Sequence, residues 1–140
     1  MKAEVSSVVS RTPEEAFDFL VHLENEAAWN PWAKKAVRVT DGEVREGTVY
    51  RATYKRFGEL EVSITGYDRP RRFVISTETK QMSGRHELLF ERTAGGTKIT
   101  QRGDMQPRGI MKLMSLLMGP MVRGHFRDIG KGVQAALRPK

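Results

Sequence analysis

The sequence predicts an α+β domain in which an antiparallel sheet of about seven strands is covered by a long C-terminal helix. Residues 37–106 alternate apolar and polar side chains between regularly spaced turns, which is typical of a meandering antiparallel sheet. Residues 108–137 instead place apolar side chains at helical spacing. Two short helices are expected between a first strand, residues 3–10, and the rest of the sheet.

The length and composition predict a single cytoplasmic domain. A chain of 140 residues has the common size of one domain, so we expect one domain over residues 1–140. No apolar run reaches the roughly 20 residues that a membrane span needs, and the N-terminus lacks the features of a secretory signal. The chain has no cysteine, which excludes disulfides and thiolate metal sites. The three histidines are far apart in the sequence, and no P-loop or dinucleotide-binding motif occurs, so we expect no metal and no cofactor.

The net charge of +7 resides in the C-terminal half of the chain, where 71–140 hold fourteen basic and five acidic residues. Such an excess can attract nucleic acid or an anionic membrane. The basic residues are scattered at strand and helix spacing, however, and do not cluster with aromatic residues. The pattern favours a solvated face over a specific nucleic-acid interface.

The first helix has a clear start signal. Thr12 can cap it, Pro13 suits its first position, and Glu15 can bond back to the cap amide. Its apolar residues then fall on one face: Ala16, Phe17, Phe19, Leu20 and Leu23. A short second helix over about 24–29 should end there, because the residue before Pro31 disfavours helical backbone.

The alternation in the strands assigns one face of the sheet to the interior. Polar residues with inward parity are informative, because a buried polar group needs a partner and a ligand can supply one. The inward set on the strands contains Tyr50, Tyr54, Ile64, Ile75, His86, Leu88, Phe90 and Gln101.

The long helix carries a broad apolar arc. Three of its methionines, Met114, Met118 and Met121, share that arc, and the flexible thioether suits either an adaptable binding wall or an ordinary core. His125 lies within the same arc. Pro120 is expected to kink the helix or divide it near Gly119.

The chain resembles the START-like or SRPBCC superfamily, in particular its polyketide cyclase/dehydrase and lipid-transport branch. The resemblance spans the whole chain and depends on the order and spacing of short motifs. These are Phe17 and Leu20 of the first helix, the Trp29-Asn30-Pro31-Trp32 junction, 47–50 opening a strand, 66–73 at a hairpin and 95–100 opening the last strand. It implies a helix-grip fold, in which a curved sheet wraps around the long helix and encloses a hydrophobic cavity.

The resemblance also implies a ligand, namely a small, largely apolar molecule, but it supplies no shared catalytic motif. Trp29 and Trp32 lie where the chain leaves the short helices, so they either plug the core or form a wall of the site. The candidate ligand-binding residues are Trp29, Trp32, Tyr50, Tyr54, Ile64, Ile75, His86, Leu88, Phe90, Gln101, Met114, Met118, Met121 and His125. His86 and His125 are the candidate catalytic residues, because either imidazole could orient a carbonyl or phenol or move its proton. The alternative is that each is satisfied by a neighbour or by buried water.

Three functions follow, and the first is favoured. The chain binds or transports a small hydrophobic molecule such as a lipid, quinone or polyketide; or it is a cyclase/dehydratase that uses inward polar residues; or it is an interaction module. The third option rests on residues 110–118, which are apolar nearly all round. That segment would contact a membrane surface peripherally or pack on a second subunit in a homodimer.

Overall fold

A computed structural model describes residues 2–138 and contains the predicted α+β arrangement. The helices are α1 (Pro13–Val21), a short 3₁₀ helix (Leu23–Ala28) and α2 (Ile110–Ala136). The strands are β1 (Lys2–Val9), β2 (Ala33–Arg38), β3 (Val49–Tyr54), β4 (Gly58–Asp68), β5 (Arg72–Glu78), β6 (Met82–Thr93) and β7 (Gly96–Pro107). They form one antiparallel sheet in the order β1-β7-β6-β5-β4-β3-β2. The predicted helix-grip fold is confirmed.

The start of α1 is fixed by the predicted capping box. The Thr12 hydroxyl accepts a hydrogen bond from the Glu15 amide at 3.1 Å, and the Glu15 carboxylate accepts one from the Thr12 amide at 3.4 Å. Ala16, Phe17 and Leu20 of α1 are fully buried, and the Phe17 ring packs edge-on against Phe73 and Phe90, with centroids 5.4 Å apart in both pairs. Helix α1 thus covers one end of the sheet.

Two irregularities in strand pairing give the sheet its curvature. The register shifts between Ile64 and Gly66 in the β4–β5 pair and between Ala33 and Lys35 in the β2–β3 pair. An irregularity of this kind bends a strand and increases its local twist. The concave face that results turns toward α2.

The C-terminal half of α2 is tightly packed, and glycines make the packing close. The Ser7 hydroxyl of β1 donates a 3.0 Å hydrogen bond to the Gly130 carbonyl oxygen. A Cβ on Gly130 would lie 2.8 Å from the Val5 side chain, and one on Gly132 would overlap the Trp29 carbonyl group. Ile129 and Val133 are buried in the same contact. This half of α2 is therefore held against both β1 and the end of the 3₁₀ helix.

The N-terminal half of α2 is largely exposed and is not divided. Leu116 and Leu117 are 84% and 86% exposed, and the helix continues without a break through Pro120. Of the two predicted effects of Pro120, the division of the helix is wrong and the kink stays a prediction. Proline leaves the carbonyl of Leu116 without an amide donor, but at this exposed position water can satisfy that carbonyl. Within residues 2–138 no helix is long and apolar enough to cross a membrane.

The close approach at Gly132 gives a prediction about stability. Gly132→Ala should lower the free energy of unfolding by about 1–3 kcal/mol, because the new methyl group has no space beside the Trp29 carbonyl. Gly124→Ala in the same helix is the matched control, since a Cβ there meets nothing within 4 Å. It should be neutral or should stabilise the protein by roughly 0.5–1 kcal/mol. Urea denaturation of both variants measures the difference, and equal midpoints would contradict the packing described.

Candidate functional site

A cavity of about 160 Å³ lies between the concave face of the sheet and α2 and is open to solvent on one side. Its walls are mostly apolar. The aliphatic and thioether part consists of Leu60, Val62, Ile75, Met82, Met105, Val122 and Ile129, and the aromatic part includes Trp32, Phe57 and Phe126. Gly103 also lies in the wall. Because glycine has no side chain, the Phe126 ring can lie close against the sheet at this position, where a Cβ would overlap the ring.

Five of the predicted ligand-binding residues line this cavity. They come from five different elements or junctions of the chain: Trp32, Tyr54, Ile75, His86 and His125. Strand parity located Tyr54, Ile75 and His86 on inward faces, helix periodicity located His125, and Trp32 was predicted from its junction after the short helices. The sheet curvature brings them together. Whether each of them contacts a ligand stays a prediction.

Six other predicted residues are buried but lie outside the cavity wall: Trp29, Tyr50, Ile64, Leu88, Phe90 and Gln101. Ile64, Leu88 and Phe90 belong to the hydrophobic core. The Tyr50 hydroxyl donates a 2.8 Å hydrogen bond to Glu24. The two tryptophans therefore occupy different environments, since Trp29 is enclosed by protein and Trp32 faces the cavity.

The three predicted methionines of α2 do not line the cavity in this structure. Met114 is about half exposed, and Met118 and Met121 are partly buried. The helical part of the wall instead comes from the next turns, with Val122, Phe126 and Ile129. A ligand contact by the methionines stays a prediction.

His125 stacks on Trp32. The ring centroids are 3.5 Å apart and the planes differ by 9°. The guanidinium of Arg56 lies 5.7 Å from the centre of the Trp32 ring. Burial lowers the pKa of His125 to about 4, so its imidazole is neutral at physiological pH. Its Nδ1 atom is buried and has no hydrogen-bond partner within the described part of the chain.

His86 is partly buried and is joined to Gln101. The two side chains are 2.9 Å apart, from His86 Nε2 to Gln101 Oε1, so the imidazole carries its proton on Nε2. The rings of Trp29 and Phe126 pack around it, with centroids at 6.4 Å and 5.5 Å. Burial, assisted by nearby His125, lowers the pKa of His86 to about 4. His86 is therefore a neutral hydrogen-bonding group and a weak base.

A buried carboxyl group in the cavity wall was not predicted. Glu26 is only 3% exposed; its Oε1 accepts a 2.7 Å hydrogen bond from the Tyr54 hydroxyl, and its Oε2 accepts a 2.9 Å bond from Asn30 Nδ2. Burial raises the pKa of Glu26, although both hydrogen bonds oppose this effect. We call Glu26, Asn30 and Tyr54 the carboxyl cluster.

The sequence held one signal for Glu26. Side chains three residues apart eclipse one another in a 3₁₀ helix, so Glu26 shares a face with buried Leu23. Residues three apart also lie on one face of an α-helix, so either kind of helix would have placed Glu26 on the side of Leu23.

The polar groups of the site act mainly through hydrogen bonds. Both imidazoles are neutral and weakly basic, and the carboxyl group is already hydrogen-bonded to two donors. Across residues 2–138 no group of three or more His, Asp or Glu side chains could hold a metal ion. A few polar groups in a mostly apolar wall are typical of a site that orients a small molecule.

The depressed pKa values of His86 and His125 predict a pH dependence of stability. Because each folded pKa lies below the ordinary value of 6.5, the unfolded chain binds the proton first as pH falls. The stabilisation is complete above about pH 6.5 and is lost as pH falls toward 4; His86 alone accounts for on the order of 3 kcal/mol.

NMR titration of the ring protons should give midpoints near 4, and near 6.5 in urea-unfolded protein. His86→Gln should show a smaller loss of stability across this range. Midpoints near 6.5 in the folded protein would contradict this picture of the site.

Comparisons with solved structures find the same fold at low sequence identity. The protein TTHA0849 from Thermus thermophilus has a TM-score of 0.80 at 12% identity, with 98% of this chain and 97% of that chain covered. A START superfamily protein from Mycobacterium smegmatis has a TM-score of 0.73 at 10% identity, covering 97% and 96%. The di-domain ARO/CYC BexL from the BE-7585A biosynthetic pathway has a TM-score of 0.71 at 14% identity, covering 99% of this chain and 48% of BexL.

The sequence itself also identifies a family. No curated protein sequence gives a significant match. Residues 1–138, however, match the sequence profile of one family, polyketide cyclase / dehydrase and lipid transport. With this match over nearly the whole chain, and with the helix-grip fold of its structural neighbours, the chain belongs to the polyketide cyclase / dehydrase and lipid transport family.

Proposed function

We propose that residues 1–140 form one ligand-binding domain, which takes up a small, largely apolar molecule in the cavity between the sheet and α2. The observation that carries this proposal is the cavity itself, about 160 Å³ with mostly apolar walls. A dry, apolar protein cavity of about 150 Å³ is known to bind benzene. The enclosed volume therefore suits one six-membered ring, and the rest of a lipid, quinone or polyketide would extend through the open side.

The chemistry of the two histidines supports binding over catalysis. An effective general base has a pKa near the working pH, whereas burial lowers the pKa of His86 and of His125 to about 4. Glu26, whose pKa burial raises, is the residue that a catalytic alternative would use. A cyclase or dehydratase activity, as in the ARO/CYC description of BexL, is the alternative. At 14% identity the likeness to BexL supports a common fold and does not extend to a reaction.

A peripheral interaction with an anionic membrane is a second candidate function. The unpacked half of α2, residues 110–118, exposes Ile110, Leu113, Leu116 and Leu117 by 73–86%. Residues 105–127 contain four basic residues and no acidic one. Exposed leucines flanked by cations suit a surface of anionic lipid, into which apolar side chains insert while the cations remain at the headgroups. The alternative is a homodimer that pairs residues 110–118 of two copies. It is disfavoured, because it would bring the positive charges of both copies together.

Blocking the cavity tests the first proposal. Val122→Trp should abolish toluene binding, because the indole would occupy the space beside a buried wall residue. Toluene is the probe because its ring matches the enclosed volume. Binding would be followed by NMR shifts of the wall methyl groups. Val37→Trp is the matched control at an exposed site of β2 and should bind as the wild type does.

The outcome against the cavity proposal is also defined. A wild-type protein whose wall methyl groups do not shift with toluene, or a Val122→Trp protein that still binds it, would remove the cavity as a binding site. Thermal unfolding of the variant checks that the fold is intact.

The membrane proposal predicts that liposome binding depends on the exposed leucines of α2 and on the negative charge of the lipid. The wild type should co-sediment with phosphatidylglycerol-containing liposomes at low salt and not with pure phosphatidylcholine liposomes. Leu113→Asp/Leu117→Asp should lower the bound fraction by about tenfold, because two exposed anchors are replaced by anions. Val37→Asp, also exposed, is the control and should bind normally. Equal sedimentation with both liposomes, or with neither, counts against this role.

A further inference from the structure

The carboxyl cluster joins three side chains of the cavity wall by hydrogen bonds, and its arrangement restricts what can bind. Tyr54 has one hydroxyl hydrogen, which it donates to Glu26 Oε1 at 2.7 Å. Asn30 donates to Oε2 through Nδ2, while its Oδ1 accepts the Trp32 backbone amide at 3.0 Å. Two donors therefore already converge on one carboxyl group.

The cluster retains hydrogen-bonding capacity on the carboxyl group. A carboxylate has about four acceptor positions and uses two of them here. The groups that act on the Glu26 carboxyl are Tyr54 and Asn30, and no basic side chain within residues 2–138 is among them. A buried carboxyl without a cation is costly in an apolar environment unless its hydrogen bonds are complete. A polar group on a ligand would complete them.

The protonation of Glu26 decides which polar group fits. Burial raises its pKa, because an apolar environment penalises the charged form. A hydroxyl group is both donor and acceptor, so it can pair with either form. A carbonyl group can pair only with the acid, and an ammonium group only with the carboxylate.

The remaining walls favour a flat ring. Trp32, stacked on His125 at 3.5 Å, faces the same cavity as the carboxyl cluster, and Phe57 and Phe126 are also part of its wall. The enclosed volume of about 160 Å³ is close to that of cavities that hold one benzene ring. Ring and hydroxyl together describe a phenol-like group.

We infer that the cavity selects a ring that bears a hydroxyl group and places that hydroxyl against the Glu26 carboxyl. This inference rests on the proposed binding function and adds the chemical class of the ligand. In this arrangement Glu26 contacts the ligand, whereas Tyr54 and Asn30 are positioning residues that hold its two oxygens.

The test compares phenol with toluene, two probes of nearly equal size that differ by a hydroxyl and a methyl group. NMR titration gives both dissociation constants. In Glu26→Leu, phenol should bind about tenfold more weakly relative to toluene than in the wild type, because a hydrogen bond to a charged or acidic group is lost. Toluene itself should bind within about twofold of wild type, which also reports an intact cavity. Glu26→Met, which has a similar size but only a weak sulfur acceptor, replaces this variant if it fails to fold.

Glu46→Leu is the matched control. It makes the same substitution at an exposed glutamate outside the cavity wall, so the preference for phenol should persist. A phenol-to-toluene ratio unchanged in the Glu26 variants would overturn the inference and leave the cavity proposal intact. Benzylamine binding more tightly than phenol would overturn the hydroxyl assignment. If neither phenol nor toluene binds the wild type, the proposed function fails and this inference fails with it.

Discussion

The close contact between the C-terminal half of α2 and the β1 side of the sheet is the constraint on which the rest of the structure depends. Gly130 and Gly132 allow the helix backbone to approach Val5 and the Trp29 carbonyl, and Ser7 adds a hydrogen bond. The helix is thereby fixed at one edge of a seven-stranded sheet whose other strands curve away beneath it. Side chains alone must cover the remaining concave face, and they leave the cavity between them.

The polar groups of the cavity reflect the low dielectric of that enclosure. Burial lowers the pKa of both histidines to about 4 and raises that of Glu26, so each of these groups is shifted toward its neutral form. Neutral groups cost less to bury than ions, and they still orient a ligand through hydrogen bonds. Burial thus explains why the few polar groups of the cavity are shifted toward their neutral forms, which suits the apolar ligand proposed above.

The two halves of α2 differ in burial. Beyond Val122 its apolar residues are buried against the sheet, whereas Leu113, Leu116 and Leu117 remain in solvent. Helices of globular proteins are usually apolar on one face only. An apolar surface nearly all round, next to basic residues and no acidic ones, contributes little to the packing of the fold and supports the proposed peripheral interaction.

Local chemistry in the sequence determined the elements of this protein. The Thr12–Glu15 capping box set the start of α1, and two-residue alternation set the inward face of each strand, because both depend on near neighbours in the chain. The tertiary structure alone decided which inward residues meet empty space. Tyr54 and Tyr50 share one strand face, yet only Tyr54 reaches the cavity, and the carboxyl of Glu26, from the 3₁₀ helix, was not predicted to reach it. A periodic pattern gives the direction of a side chain but not the distance to the element opposite, and that distance is set by sheet curvature and by the glycine contacts of α2.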